Sequence, residues 1–457
     1  MKNKWLLIAV LVLLAASIAF AVFFALRANE LQVKLDELTS RSASLEEQAE
    51  NLQSGITELE AELEKIRADV KSEVVIWHTF TGDQDATLNA LAEEFNALRE
   101  DVVITVQSQP YQGFLDNVYS AVANGVGPNI IFDYASTAAD YVNDGFIADI
   151  GKYIDDPDIG IPTFRDSLNP KIYLEATGFV DGKQHAIPLV TTGPILFYNK
   201  TIYDELGLQV PATWTELAAN SQAIFDAKGI AGFAADSLTD VAQALIMQAG
   251  SEYIDLETLT VLWNNEAAAE RLQWYADQVA AGGFSVTKTG DYWSNDFNAG
   301  LVASYIGSCA GIPYIVPDGF EFDVAPMPIE GEPWYNAWNR GILIFSADEA
   351  TERAAYEFAK FYVTPENNER WCKAMISLSP YAETAARESF QAFVAVNPAL
   401  AAVEANLPYA GFLPSVTGSY AVRVELGKAL TLAAGGMNAA EALADAAAAA
   451  NDAMQGR

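Results

Sequence analysis

Residues 187–217 read IPLVTTGPILFYNKTIYDELGLQVPATWTEL. The apolar run Ile195–Tyr198 lies between Gly193-Pro194 and Asn199-Lys200. Turn residues at both ends of a short apolar run mark a buried strand. Pro211 and the segment Thr213-Trp214-Thr215-Glu216-Leu217 then open a helix. Thr213 is its expected N-cap, and Glu216 stands three residues on, the spacing of a capping box.

Upstream, strand and helix patterns alternate. Val74–Trp77 reads as a buried strand, and Asp85–Leu98 as a helix with Leu88, Leu91, Ala92 and Phe95 on one face. Val102–Gln107 is the next strand. Phe114–Asn124 is a helix ended by Gly125-Val126-Gly127-Pro128, and Asn129–Tyr134 is a third strand. This βαβαβ order implies a parallel sheet covered by helices.

The totals narrow the function. A chain of 457 residues, 51% of them hydrophobic, is globular and long enough for two or three domains. Its 61 acidic against 26 basic residues give a formal charge of −35. Such a surface repels phosphate backbones, which excludes nucleic-acid binding. Two histidines, His78 and His185, leave little for histidine metal sites or catalytic triads. Cys309 and Cys372 have no zinc-type spacing; a disulfide between them and two separate core thiols both fit the sequence. Gly307-Ser308-Cys309-Ala310-Gly311 lacks the spacing of a nucleophile elbow, and Gly427-Lys428 lacks the earlier glycine of a phosphate loop. No enzyme activity, cofactor or metal is expected.

The N-terminus is of another kind. Trp5 to Leu26 is an uncharged run behind Lys2 and Lys4. As a helix it spans roughly 33 Å, close to the ~30 Å hydrocarbon core of a bilayer. The lysines should stay in the cytoplasm, with the rest of the chain outside. The run is longer than a signal-peptide core, which favours a retained anchor; Ala19-Phe20-Ala21 keeps a cleaved signal as the alternative. No cysteine lies nearby, so a lipoprotein anchor is excluded. Leu31, Leu35, Leu38, Ser42, Leu45, Ala49, Leu52, Ile56, Leu59, Leu63, Ile66 and Val70 then recur in steps of four and three. That heptad pattern implies a coiled-coil stalk of ~60 Å. In a parallel dimer Arg41 would meet Glu46 and Glu62 would meet Arg67 across the seam. Ser42, Ala49 and nearby Gly55 leave the number of strands open.

The stretch from Pro188 through Pro194, Ile195, Leu196, Tyr198, Asn199 and Lys200 to Pro211, Thr213, Trp214, Glu216 and Leu217 resembles the family 1 extracellular solute-binding proteins of bacterial ABC importers. The likeness extends over about residues 73–445. It is carried by Ile76-Trp77-His78-Thr79-Phe80, Phe95-Asn96, the Tyr111 region, Gly127-Pro128-Asn129-Ile130-Ile131 and the hairpin Asp181–Pro188. It continues in Phe297–Ser308, Asp323–Pro328 and Asn339–Ile342. The resemblance implies an α/β, two-lobed periplasmic-binding-protein-like fold (type II), with discontinuous lobes, a hinge and a ligand cleft. The expected division is a membrane anchor over 1–30, a stalk over 31–70, lobe 1 over 72–187 and 301–338, and lobe 2 over 188–300 and 339–457.

Within that family the chain is similar to the carbohydrate and glycerol-3-phosphate branch. The glycerol-phosphate binders carry a Ser-Arg-Gly segment near the C-terminus; here the comparable place reads Leu407-Pro408-Tyr409-Ala410-Gly411-Phe412. A neutral sugar or polyol is therefore the expected solute. Sugar sites pair aromatic faces with a few placed polar groups. The candidates at strand ends and crossings are Trp77, His78, Thr79, Tyr111, Asp133, Tyr134, Thr191, Thr192, Trp293, Ser308, Trp338 and Arg340. Arg340 would suit a carboxylate or phosphate. Lone His78 also reads as a hydrogen-bonded structural residue. Trp214, Trp263, Trp274 and Trp371 sit in helical patterns and read as core. The resemblance implies solute capture by hinge closure and delivery to permease subunits, with membrane attachment through the first helix and self-association through the stalk. The alternative is a ligand-sensing receptor ectodomain on the same stalk.

Overall fold

The computed structural model describes residues 2–69, 71–179, 181–290, 292–412 and 414–456. The chain forms two compact units, one up to Lys71 and one from Ser72. The first is a single helix, Lys2–Asp69. Among the described residues it is the one helix long and apolar enough to cross a membrane, and its most apolar window is unburied. Val70, the last expected seam position, lies outside the described residues.

In the second unit the strands of the two main sheets are β1 (Ser72–His78), β2 (Val102–Ser108), β3 (Ile130–Tyr134), β4 (Ala186–Thr192), β5 (Pro194–Asn199), β6 (Ala234–Ala235), β7 (Ser304–Ser308), β8 (Phe322–Pro326) and β9 (Trp338–Ile344). They build two sheets, ordered β2-β1-β3-β9-β4 and β8-β5-β7-β6. In the first, β1 runs parallel to β2 and β3, and β9 is antiparallel to both β3 and β4. In the second, β5 is antiparallel to β7 and β8, and β6 is parallel to β7. One cluster of buried side chains, including Val74, Phe95, Tyr362 and Trp371, packs on the first sheet. Another, including Phe197, Trp214, Trp263 and Leu430, packs on the second. The two-lobed α/β architecture is that expected from sequence.

The chain passes from the first sheet to the second through one residue, Gly193, between β4 and β5. A Cβ here would lie 2.0 Å from the Tyr335 hydroxyl, so only glycine fits this crossing. The hydroxyl in turn donates to the carbonyl of Pro194. Downstream, the expected capping box forms: Thr213 accepts from the Glu216 backbone, and the Glu216 carboxylate accepts from the Thr213 backbone.

The lobe boundaries differ from the expected ones. Residues 301–338 are expected in lobe 1, but β7 and β8 both pair with β5 and so belong to lobe 2. The chain returns to the first sheet only at Trp338, where β9 inserts between β3 and β4. Residues 339–457 are expected in lobe 2. Instead helices Glu349–Tyr362 and Pro365–Met375 pack on the first sheet, with Trp371 against Phe80 and Phe132. The chain crosses a third time before helix Pro398–Asn406, whose Leu400 and Val403 join the second core. Cys309 and Cys372 are separate buried thiols, one in each core, which resolves the open question of pairing. Trp214, Trp263 and Trp371 are fully buried and Trp274 packs against the second core, as expected.

Candidate functional site

The C-terminal ends of β2, β3, β4 and β7 and the N-terminal end of β9 converge on a cavity of about 440 Å³ between the two sheets. Strand ends in α/β folds leave backbone groups and short loops free to face a ligand, which is why sites gather there. Lobe 1 contributes Tyr111, Tyr134, Thr192, Trp338, Arg340 and Met375. Lobe 2 contributes Asp236, Ser237, Asp240, Gln243, Ser308, Asn336 and Arg423.

Six of the twelve sequence-predicted residues therefore line one cavity: Tyr111, Tyr134, Thr192, Ser308, Trp338 and Arg340. The other six do not. The Trp77 indole donates to Gln107, 2.9 Å away. His78 is buried, accepts from the Phe80 backbone at 3.1 Å and stacks on the Phe80 ring, which is the structural role. Burial lowers its pKa, against the pull of Asp85. Thr79, in the same loop, does not reach the cavity wall. Trp293 is buried in the second core, though its backbone N–H donates to Asp236 at 2.7 Å. Asp133 is buried behind Arg340 and accepts from the Tyr134 backbone at 2.8 Å. Thr191 donates to Asn339 at 2.7 Å.

Two charged groups define the walls. Arg340 on β9 sits opposite Tyr134 on β3. Its guanidinium lies 5.5 Å from the Phe80 ring centre and 5.4 Å from that of Tyr134, and its Nε is buried with no hydrogen-bond partner among the described residues. Arg423, on helix Ser419–Ala434, donates to Asp240 at 2.6 Å. Asp240 lies in the first turn of helix Leu238–Gln248, whose N-cap Ser237 accepts from the Asp240 backbone. Asn336 ties the same helix down through the Asp240 carbonyl and the Gln243 side chain.

Sequence reasoning missed Asp236, Asp240, Gln243, Asn336, Arg423 and Glu175, all of which line the cavity. Ser237-x-x-Asp240 is a readable helix start. Arg423 is a cation within a stretch of small and apolar residues. Neither mark carries a ligand signal by itself.

Three carboxyls here titrate high. Burial pushes Asp133 up to about 6, against the opposing pull of Arg340. Burial pushes Asp236 up to about 6 as well, against its hydrogen bond from Trp293. Glu175 is pushed from 4.5 up to about 8 by burial, although Asn339 donates to it at 2.6 Å. A carboxyl raised in the folded state holds a proton that the unfolded chain releases. Its stability contribution is therefore complete below pH 4.5 and is lost as pH rises through about 8. Glu175→Gln is expected to flatten the fall in melting temperature between pH 5 and pH 8. Parallel slopes for the parent and the variant would show that Glu175 does not hold that proton.

The profile of the bacterial extracellular solute-binding proteins matches residues 90–402, more than half of the chain. The chain belongs to that family. Among similar members is the sn-glycerol-3-phosphate-binding periplasmic protein UgpB of Yersinia pestis, 23% identical over 322 residues, covering 66% of this chain and 72% of that one. The maltotriose-binding protein of Pyrococcus abyssi is 24% identical over 306 residues, covering 64% of this chain and 62% of its own. Among solved structures, the cyclic α-maltosyl-1,6-maltose-binding protein of Arthrobacter globiformis superposes with a TM-score of 0.69 at 26% identity. That match covers 85% of this chain and all of that one. For this solute-binding protein, the matched range contains every strand end on the cavity and stops short of Arg423.

Proposed function

We propose that the protein captures a sugar or polyol in the interlobe cavity by hinge closure and hands it to the permease of an ABC importer. The observation that carries this reading is the cavity itself. It sits between two sheets joined through Gly193, and Tyr111, Tyr134 and Trp338 share its walls with hydroxyl, amide and charged groups. Aromatic faces take the C–H side of a sugar ring, and the polar groups take its hydroxyls. Solute bound to both walls would favour the closed form, and a permease that prefers that form would read occupancy. Similar family members named for maltotriose and for a maltose-containing cyclic sugar support the carbohydrate class.

The first helix would serve as a single-pass anchor, with the binding lobes on the extracytoplasmic side. The stalk beyond it would let copies associate. That stalk also supports the second reading, a membrane-anchored receptor reporting the same solute.

Thermal unfolding of the unit Ser72–Arg457 against sugars, polyols and sn-glycerol 3-phosphate tests the ligand class. A solute at 1,000 times its dissociation constant adds about 4 kcal/mol, a shift of several degrees. One strong sugar or polyol is the expected result. A shift with glycerol phosphate alone would move the ligand class to phosphates, and no shift at all would remove the small-solute reading.

A further inference from the structure

The helix that leaves the apolar segment carries a face that no described residue of its own unit covers. Leu31, Leu38, Leu45, Leu52 and Leu59 fall seven residues apart, at the d position of a heptad. Leu35, Ser42, Ala49 and Ile56 fill the a positions between them. The large members of this stripe are 47–68% exposed, on a helix that runs unbroken to Asp69. A continuous stripe of that kind is unstable in water unless a partner covers it.

We infer that residues 31–59 of two copies of this chain wind into a parallel, in-register, two-stranded coiled coil. The self-association rests on the stalk reading above; strand number, direction and register go beyond it. Leucine at every d position within this range, with β-branched Ile56 at a and no isoleucine at d, favours two strands over three or four. Direction follows from attachment, because two helices entering from the same membrane run side by side. Register follows from charge. In this arrangement each g residue meets the e residue five positions on in the partner. Arg41 then meets Glu46, while Lys34 meets Thr39 and Gln48 meets Gln53, so no like charges face each other. Within one chain Arg41 and Glu46 lie on opposite flanks of the seam, and among the described residues neither has an ion pair. Lys34, by contrast, bonds Glu30 along its own helix at 3.2 Å. Small Ala49 and polar Ser42 at a weaken the seam locally and disfavour slipped registers that would set them against leucine. The pairing gives two solute cavities per anchored unit.

Cysteine cross-linking of the full chain in lipid nanodiscs tests this. Leu38→Cys and Leu52→Cys put thiols at d, and Ser40→Cys and Ser54→Cys put them on the outer face of the same helix. Cys309 and Cys372 are buried and give no background. With copper phenanthroline as oxidant, the d variants should form a covalent dimer at least about ten times faster than the outer-face variants, because disulfides need Cβ atoms within ~4.5 Å. Equal rates at both positions, or no dimer at either, would overturn the inference. A native mass of three or four chains would overturn the two-stranded form. Solute titration of the same reduced proteins reports on the binding reading separately, so failure of the stalk and failure of the cavity are distinguishable.

Discussion

Arg423→Leu is expected to destabilise the binding unit by about 3 kcal/mol, at the lower end of the 3–5 kcal/mol for breaking a buried pair. The pair to Asp240 spans 2.6 Å, with the Asp240 side chain 9% exposed and that of Arg423 26% exposed on the cavity wall. Without the guanidinium, Asp240 keeps only the N-terminal turn of its helix, whose dipole offsets about 0.3–1 kcal/mol. The helices are packed tightly here. They cross so closely that a Cβ on Gly427 would lie 2.1 Å from the Thr239 hydroxyl. The expected readout is a melting temperature lowered by several degrees. Asp240→Asn in the same chain should recover most of the loss, since it removes the stranded charge. A single variant that melts with the parent, or a double variant no better than the single, would show that the ion pair does not hold these helices together.

What could be read from sequence divides by range. The 187–217 stretch announced its own strand, turn and capping box because each is a local signal, and β5 and helix Trp214–Lys228 begin within one residue of the places it marked. The heptad of the first helix was equally local. The partner of β7 was not. Residues 304–308 would suit either sheet, and only pairing with β5, over a hundred residues earlier, decides the lobe. The site divides in the same way. Tyr111, Tyr134, Thr192 and Ser308 were legible because strand ends converge in any α/β lobe. Asp240 and Arg423 are 183 residues apart, and no local pattern joins them. Trp77 and Trp293 were plausible sugar platforms by type alone. Their rings went to a glutamine and to the core, a choice made by neighbours that the spacing does not reveal.

Arg340→Met should weaken solute binding by roughly 30- to 150-fold, or about 2–3 kcal/mol, while leaving the fold intact. A register shift between Arg340 and Gly341 on β9 changes the local aim of the strand just where the guanidinium enters the cavity. The Phe80 and Tyr134 rings hold the group in place, each stack contributing about 0.5–2 kcal/mol. Its Nε N–H is buried and, among the described residues, unbonded, a state that costs about 1–3 kcal/mol. A solute oxygen brought to it as the lobes close would accept from it and relieve that cost. Methionine keeps the packing on the rings but removes the donor. Asp133 would then lose its nearest cation and titrate above its present value of about 6, taking up a proton near neutral pH instead of remaining a buried charge. That limits the cost to folding, and circular dichroism and melting should stay near those of the parent. Arg340→Lys separates charge from shape. It keeps the cation but loses the planar fork and the fixed Nε, so at least a tenfold loss is expected there too. If the methionine variant bound the solute within about threefold of the parent, a difference below 1 kcal/mol, Arg340 would be a strut for Tyr134 and not a contact to the ligand.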